Sequence, residues 1–344
     1  MKNYRTYLGI DVAKLTLDYC LVTDDQQLER EQILNTQKSI NSFLKNLKKA
    51  GHELDQILFV FENTGIYSSL LSLVLSENEL DYSQVPALEI KRSLGITRGK
   101  SDKVDAKEIA YYAKRNTDKI TLSVLPELNL QQLKIIFSER EKTIAAIKVF
   151  ERTMENEMFL SKEVFGTVKA INRQTVKYLK KQLAMLDDKI KKLIREDEVL
   201  YKQQQLLKSI PGIGEITSVY LLMVTKGFTA FTNGRKFACY SGVAPFEHSS
   251  GTSIKGKTRV SHLADKKMKS LLHMVSLTAI KYDPELKEYY ARKKAEGKHT
   301  MLVLNNIKCK IVYRIFAVIQ RESNFINLHK FAATLSHKVC KLKS

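Results

Sequence analysis

The chain has 344 residues, and its 57 Lys and Arg outnumber its 37 Asp and Glu, giving a formal net charge of +20 at pH 7. The length predicts roughly two domains. Because 44% of the residues are apolar, the chain can bury a core, which excludes global disorder. The four cysteines lie far apart, without the C-x-x-C spacing of many zinc sites. We therefore expect reduced thiols, as in a cytoplasmic protein.

The apolar runs are too short to cross a membrane. The run Val219–Val224 is typical, whereas a spanning helix needs roughly 18–20 apolar residues. A secretory signal is also excluded, because Asp11 falls where such a signal would be apolar. We expect a soluble protein that has no membrane partner.

The positive charge is concentrated towards the C-terminus. Residues 1–100 carry 12 basic and 13 acidic side chains, residues 101–200 carry 20 and 16, and residues 201–344 carry 25 and 8. This asymmetry indicates a near-neutral module joined to one that binds a polyanion, for which nucleic acid is the favoured candidate. A generally basic, soluble surface is the alternative.

Residues 1–125 alternate strand-like and helix-like segments. Apolar or alternating runs predict strands at Tyr7–Ile10, Leu15–Val22, Ile57–Phe61 and Asp81–Val85. Helical spacing of apolar residues predicts helices at Ser39–Ala50, Gly65–Leu75 and Asp102–Arg115. This order predicts an α/β domain with a mixed sheet.

Residues 126–205 contain long helical patterns and a single glycine after Leu128, Gly166. An apolar seam with heptad spacing is interrupted once, near Asp197, and consists of Val176, Leu179, Leu183, Leu186, Ile190, Leu193 and Leu200. The pattern predicts two helices joined near Phe165–Ala170, as an antiparallel hairpin or a dimerising coiled coil. An ordinary helical-bundle core is the alternative.

Residues 206–328 predict a mostly α-helical domain, followed by a basic tail at 329–344. The domain opens with I-P-G-I-G at Ile210–Gly214, which fits a helix-hairpin-helix motif. Gly212 and Gly214 leave backbone N–H groups free to approach a phosphate, and the next helix adds its positive dipole end. Such contacts bind a nucleic acid backbone without reading its sequence. A tight turn with no ligand is the alternative.

Four acids of the first domain are candidate metal ligands. Asp11 and Glu62 each follow a predicted strand, and Asp102 and Asp105 lie three residues apart on one helix face. If those elements are neighbours, four carboxylates converge, and carboxylate oxygens suit Mg²⁺ or Mn²⁺. Two such ions can stabilise the attacking and leaving oxygens of a phosphodiester displacement. Taken one by one, the same acids are ordinary helix and strand caps.

Ser241 precedes Gly242 within an apolar stretch. Composition alone makes it a small turn residue, although a serine can attack a phosphodiester when cations hold the phosphate. Candidate nucleic-acid contacts flank it, namely Arg235, Lys236, Lys255, Lys257, Arg259, Lys266 and Lys267.

Five motifs, in order along nearly the whole chain, resemble one family. They are Y-L-G-I-D-V-A-K at Tyr7–Lys14, F-E-N-T-G-I-Y at Phe61–Tyr67, K-S-D-K-V-D-A-K at Lys100–Lys107, I-P-G-I-G at Ile210–Gly214 and Y-S-G-V-A-P at Tyr240–Pro245. The chain is similar to the DEDD transposases of bacterial insertion sequences, the one-ten family. The resemblance implies an RNase H-like (RuvC-like) first domain, a coiled-coil region and a C-terminal transposase domain.

The resemblance also implies a mechanism and partners. Asp11, Glu62, Asp102 and Asp105 would bind Mg²⁺ or Mn²⁺, and Ser241 would be the nucleophile that forms a covalent phosphoserine bond with DNA. The partners would be target and donor DNA, a non-coding bridge RNA as guide, and further copies of the chain in a dimer or tetramer. The acids and the serine of one active site would come from different protomers. The protein would act in the cytoplasm of a bacterium.

Two other functions fit the residues alone. One is a structure-selective endonuclease of the Holliday-junction type, with the same acids and water as the nucleophile. The other is a nucleic-acid-binding protein without catalysis, in which the acids are caps and the long helices a scaffold.

Overall fold

A computed structural model describes residues 2, 4–23, 28–93, 102–155, 159, 161–250, 254–260 and 264–327. The side chains of residues 28–30, 102–104, 162, 245–250 and 254–260 lie outside this description, as does the basic tail predicted at 329–344. The chain forms two compact units, Met1–Leu125 and Pro126–Ser344.

The N-terminal unit contains a five-stranded sheet in the order β3-β2-β1-β4-β5. Its strands are β1 Thr6–Val12, β2 Thr16–Thr23, β3 Leu28–Leu34, β4 Ile57–Glu62 and β5 Tyr82–Val85. β1 to β3 form an antiparallel meander, while β1, β4 and β5 are parallel. The prediction of an α/β domain with a mixed sheet is confirmed.

Helices cover both faces of this sheet. They are α1 Gln37–Lys49, α2 Ser69–Glu77, α3 Ala87–Ser93 and α4 Asp102–Arg115. α1 is capped by Thr36, whose hydroxyl accepts from the backbone N–H of Ser39, and the helix buries one apolar face. The helix predicted from Gly65 begins with a separate 3₁₀ turn, Gly65–Ser68, before α2.

Alternate residues of β1 face opposite sides of the sheet. Leu8 and Ile10 join the buried cluster that includes apolar residues of α1 and α2. Gly9 faces α4, where a Cβ atom would lie 2.2 Å from the backbone nitrogen of Ala110 and 2.4 Å from the carbonyl oxygen of Ala106. The missing side chain therefore lets the backbone of α4 pack directly on β1.

The C-terminal unit is mostly helical, as predicted. Its helices are α5 Leu128–Met154, α6 Lys162–Glu196, α7 Glu198–Lys208, α8 Glu215–Thr225, α9 Gly234–Tyr240, α10 Lys266–Tyr282, α11 Pro284–Ala295 and α12 Thr300–Arg321. The segment rich in Gly, Ser and Thr forms an unpredicted hairpin of β6 Pro245–Ser250 and β7 Ile254–Val260. No described helix is long and apolar enough to cross a membrane.

α5 and α6 pack as an antiparallel pair. Arg140 donates from Nε to Asp187 Oδ1 at 2.6 Å, and Lys180 Nζ lies 2.8 Å from Glu151 Oε1. The joint predicted near Phe165–Ala170 is wrong, because α6 begins at Lys162 after the Ser161 cap and continues through Gly166. Glycine is tolerated inside a helix at a cost of roughly 1 kcal/mol. A coiled coil between protomers stays a prediction.

The interruption of the seam near Asp197 has a clear physical cause. Asp197 separates α6 from α7, and its carboxylate accepts from the backbone N–H of Leu200 at 3.0 Å. It is therefore the N-cap of α7. The seam position Leu200 is buried in α7, in the core of the C-terminal unit.

Candidate active site

Three carboxylates form a row across the α4-facing side of the sheet. Asp11 on β1 lies opposite Asp18 on β2. The pairing of Ile10 with Phe61 brings the next residues, Asp11 and Glu62, to the same level on the parallel strands β1 and β4. Neighbouring strands are roughly 4.8 Å apart. The register therefore holds Asp18, Asp11 and Glu62 side by side, with Asp11 and Glu62 inside their strands.

Asp18 is the acid of this row that sequence reasoning missed. Its side chain is 4% exposed, and its two carboxylate oxygens accept from Nε2 of Gln32, the facing residue on β3, at 3.1 and 2.9 Å. The pairing of β1 with β2 in a hairpin could have identified Asp18 from the sequence. Once the turn between β1 and β2 is centred between Lys14 and Leu15, Asp18 falls opposite Asp11.

α4 brings a further acid to the same face. Asp105 is half-buried and adjoins Ala106, whose carbonyl packs on Gly9 of β1. Burial, and then the charge of Asp105, raises the pKa of Glu108, which lies three residues further along this helix. Asp102 is the first residue of α4, and its side chain lies outside the described residues.

The donor chemistry of this face suits a hard divalent cation. Every candidate ligand is a carboxylate, and Mg²⁺ and Mn²⁺ prefer oxygen donors. Among the described side chains, no group of three or more His, Cys, Asp or Glu is placed to hold a metal ion by itself. The described acids thus share a sheet face and a level without forming a complete ligand set, to which the side chain of Asp102, outside the described residues, does not contribute.

Ser241 lies in the C-terminal unit and ends α9. Its side chain is fully buried, at 0% exposure, and Oγ donates to the carbonyl oxygen of Phe237 at 2.8 Å. The backbone N–H of Ser241 donates to the same carbonyl at 2.8 Å, and Gly242 follows with φ +64°. The hydroxyl must therefore leave its helix-capping position before it can reach a substrate.

Tyr240, the residue before Ser241, is hydrogen-bonded to Asp265 through both its backbone and its side chain. Tyr240 accepts at its carbonyl oxygen from the backbone N–H of Asp265 at 3.0 Å, and its hydroxyl donates to Asp265 Oδ2 at 2.9 Å. The hydroxyl of Tyr220 donates to the same carboxylate oxygen at 2.9 Å. Burial and the Asp265 carboxylate raise the pKa of both phenols, which stay protonated donors. Asp265 thus fixes the position of Tyr240, the residue before Ser241.

The two glycines of the α7–α8 turn differ. Gly212 has φ +93°, and a Cβ there would lie 2.6 Å from the carbonyl oxygen of Val275 on α10. Gly214 has no atom within 4 Å of a built Cβ and begins α8 without a capping side chain. Gly212 therefore serves packing, while Gly214 leaves space for a ligand at the helix start. The helix-hairpin-helix role stays a prediction.

The predicted basic contacts fall into three groups. Arg235, Lys236 and Lys266 are exposed. Lys267 is half-buried and forms an ion pair with Glu141 of α5. The backbone of β7 carries the remaining predicted contacts at alternate positions, and their side chains lie outside the described part of the structure: Lys255, Lys257 and Arg259.

Solved structures and curated relatives give matches of different extent. RuvC of Thermus thermophilus, solved with a Holliday junction substrate, is 12% identical and covers 35% of this chain and 100% of its own, at a TM-score of 0.26. The pilin gene-inverting proteins of Moraxella lacunata and Moraxella bovis are each 27% identical over 326 residues, covering 93% of this chain and 98% of theirs. An IS110 protein of Streptomyces coelicolor is 32% identical over 121 residues, covering 35% of this chain and 29% of its own.

Two family models match in order along the chain, and the first of them extends past the N-terminal unit. The DEDD IS110 model, described as a transposase, matches residues 8–157, and the model described as the transposase IS116/IS110/IS902 family matches residues 204–291. The protein is a DNA transposase or recombinase, an enzyme that acts on DNA. It belongs to the IS110 family of DEDD transposases, which confirms the resemblance found in the sequence motifs.

Proposed function

We propose that the N-terminal unit is an RNase H-like, RuvC-like catalytic domain whose acids bind Mg²⁺ or Mn²⁺. The observation that carries this proposal is the row of Asp18, Asp11 and Glu62 beneath α4. The strand order β3-β2-β1-β4-β5, with an antiparallel meander and two parallel strands, also supports it. Gly9 supports it further, because it lets α4 approach β1 and so brings Asp105 to that face.

The acids have distinct positions in this proposal. Asp11, Glu62, Asp102 and Asp105 hold the metal, and Asp18 lies beside Asp11 with its carboxylate fixed by Gln32. A divalent ion bound there supplies electrostatic stabilisation for the attacking and leaving oxygens of phosphodiester exchange. Without bound cations, the neighbouring carboxylates repel one another.

Ser241 is the proposed nucleophile. Its Oγ attacks the phosphorus of a DNA phosphodiester, an Oγ–P bond forms, and the bond from phosphorus to one ester oxygen of the DNA breaks. The hydroxyl gives up its proton, and the departing DNA oxygen takes one up. Reversal of this exchange with another DNA end rejoins the strand. The resemblance of Tyr240–Pro245 to the family motif supports this role, which requires Oγ to leave the Phe237 carbonyl.

The C-terminal part binds nucleic acid in this proposal, with the coiled-coil region at 126–205 and the transposase domain at 206–328. The exposed cations Arg235, Lys236 and Lys266 support it, as does the open helix start at Gly214. The polyanions are target DNA, donor DNA and a bridge RNA that guides the enzyme, which acts as a homo-oligomer. Sequencing the RNA that copurifies with the protein tests the guide. If active enzyme copurifies with no defined RNA, the proposal of a guide RNA is contradicted.

A covalent-trapping assay tests the nucleophile. The wild-type protein should form a protein–DNA adduct on a suicide substrate that cannot be rejoined, and chelation of divalent metal should prevent it. Ser241→Ala should form no adduct. Ser270→Ala, at an exposed position of α10, is the matched control and should behave like the wild type. An adduct formed by Ser241→Ala contradicts the serine role.

The burial of Ser241 favours one alternative. With Oγ bonded to Phe237, the acids could direct water at the phosphodiester, as in a structure-selective endonuclease. The same assay separates the two mechanisms, because hydrolysis gives cleaved DNA with no protein attached. Cleavage by Ser241→Ala at the wild-type rate would establish water as the nucleophile.

A further inference from the structure

A lysine of α12 is buried in the C-terminal unit. Lys308 is 4% exposed and lies between the fully buried Ile307 and the half-buried Cys309. Within the described part of the chain, no carboxylate forms an ion pair with it, and the charged group that acts on it is another lysine, Lys269. Burial, and then the charge of Lys269, lowers the pKa of Lys308.

α12 runs beside α9 and places Lys308 level with the end of that helix. Asn305 Nδ2 donates to the carbonyl oxygen of Val243 at 2.8 Å, two residues beyond Ser241. Further along α12, the ring of Phe316 lies 5.6 Å from that of Phe237. Lys308 falls between these two contacts, one turn after Asn305. Because helical side chains lean towards the helix N-terminus, its stem runs towards the Ser241 turn.

α10 brings Lys269 close to the same turn. The backbone N–H of Asp265 donates to the carbonyl oxygen of Tyr240 at 3.0 Å, and that of Lys269 donates to the carbonyl oxygen of Asp265 at 3.0 Å. Lys269 is therefore one helical turn from the residue that holds Tyr240. The Asp265 carboxylate accepts from two tyrosines and from its own helix, and no described ion pair joins it to either lysine.

Two lysine charges that act on one another, with no described ion pair from either of them to a carboxylate, are unfavourable. Burying a charge is costly unless it is paired, and a neighbouring like charge adds to the cost. An anion bound between the lysines removes both penalties. The groups that would meet such an anion are two ammonium donors beside the first turn of α10, a combination that suits phosphate oxygens.

We propose that Lys308 and Lys269 form a phosphate-binding site at the turn that carries Ser241, and that the site holds the non-bridging oxygens of the DNA phosphodiester. The second part rests on the proposed role of Ser241 as nucleophile. The site keeps the phosphodiester at the serine both before attack and while it is attached to Oγ. Of the two donor lysines, Lys308 is more deeply buried than Lys269.

Titration with inorganic phosphate tests the site without requiring catalysis. Calorimetry on the full-length protein should show phosphate binding that Lys308→Met weakens at least tenfold, since methionine keeps the apolar stem and removes the charge. Lys269→Met should also weaken it, and Lys308→Arg should retain it. Lys310→Met is the matched control, because Lys310 lies over the ring of Tyr289, 4.9 Å from its centroid, and should bind like the wild type. Equal binding by the wild type, Lys308→Met and Lys269→Met overturns the proposal.

Adduct formation on the suicide substrate tests the link to DNA. Lys308→Met should slow the adduct at least tenfold, while Lys310→Met should form it at the wild-type rate. If the wild type forms no adduct but binds phosphate in a Lys308-dependent way, the serine mechanism fails and the phosphate site stands. If Lys308→Met forms the adduct at the wild-type rate, the link to DNA is wrong and the serine mechanism stands. Should Lys308→Met unfold, the Lys269→Met and Lys308→Arg proteins decide between these outcomes.

Discussion

The two units hold their candidate catalytic groups in opposite ways. In the N-terminal unit, Asp11 and Glu62 stand on buried, hydrogen-bonded strands, so the backbone ladder sets their spacing. In the C-terminal unit, Ser241 caps a helix, and its hydroxyl is buried against the Phe237 carbonyl. The sheet thus positions the acids in advance, whereas the serine hydroxyl is enclosed and would need a local rearrangement to reach a substrate.

This difference separates two requirements of the proposed reaction. A rigid sheet can keep charged ligands at a fixed spacing because every strand is bonded to its neighbours. A nucleophile that must both attack and release DNA gains from a position that opens only when substrate arrives. We therefore expect substitutions among the acids to affect chemistry, and substitutions around Ser241 to affect both stability and access.

The largest effect should come from the acid row. Asp11→Asn removes a charge without changing size, and we expect adduct formation or strand cleavage to fall about 10³-fold, or about 4 kcal/mol of transition-state stabilisation. DNA binding should persist. Asp55→Asn, at an exposed site of the same unit, is the control. Activity of Asp11→Asn within tenfold of the wild type would remove the metal assignment.

Gly9 tests whether α4 must touch the sheet. Ala at this position would set Cβ 2.2 Å from the backbone of α4, and we expect unfolding to become easier by about 3 kcal/mol. Gly166→Ala is the contrasting substitution, because nothing lies within 4 Å of a Cβ there. Inside α6 it should stabilise by about 0.5–1 kcal/mol. Chemical denaturation measures both, and equal shifts would show that the close contact at Gly9 does not matter.

Hydrophobic patterning predicted much of the N-terminal fold. Asp102–Arg115 is a helix with the predicted bounds, and the strands predicted from Ile57 and from Asp81 each differ from the observed ones by one residue at one end. Asp18 was missed because its place depends on strand register, which a one-residue change in the hairpin turn would alter. The joint between α5 and α6 was misplaced because a glycine inside a helix gives the same local signal as a break.

The candidate site was predictable to a different degree in each unit. Two acids at the ends of neighbouring strands follow from periodicity once the sheet is assumed. The burial of Ser241 depends instead on how α9, α10 and α12 pack, and no local pattern specifies that packing. The buried Lys308 is hidden for the same reason, since the sequence shows one lysine among many in a basic region.

Ser241 should contribute modestly to stability. Ser241→Ala removes the Oγ bond to Phe237, but the same carbonyl still accepts from the backbone N–H of residue 241. No buried acceptor is left unpaired, so we expect a loss of about 1 kcal/mol. Denaturation of Ser241→Ala beside Ser270→Ala measures it. A loss above about 3 kcal/mol would make the serine chiefly a structural residue.

The smallest effect should come from Glu108, and it concerns charge crowding on α4. Burial and the charge of Asp105 raise the pKa of Glu108 in the folded protein, so folding favours its protonated form. The destabilisation is absent below the unfolded pKa of about 4.3 and appears as the pH rises through the folded value. Glu108→Gln should therefore stabilise the metal-free protein at pH 7, by less than about 0.5 kcal/mol because solvent screens this partly exposed group. Glu108→Gln should have no effect below pH 4. Added Mg²⁺ should reduce the difference at pH 7, since a bound cation offsets the same repulsion. A stabilisation that is equal at both pH values would trace the effect to helix propensity instead of charge.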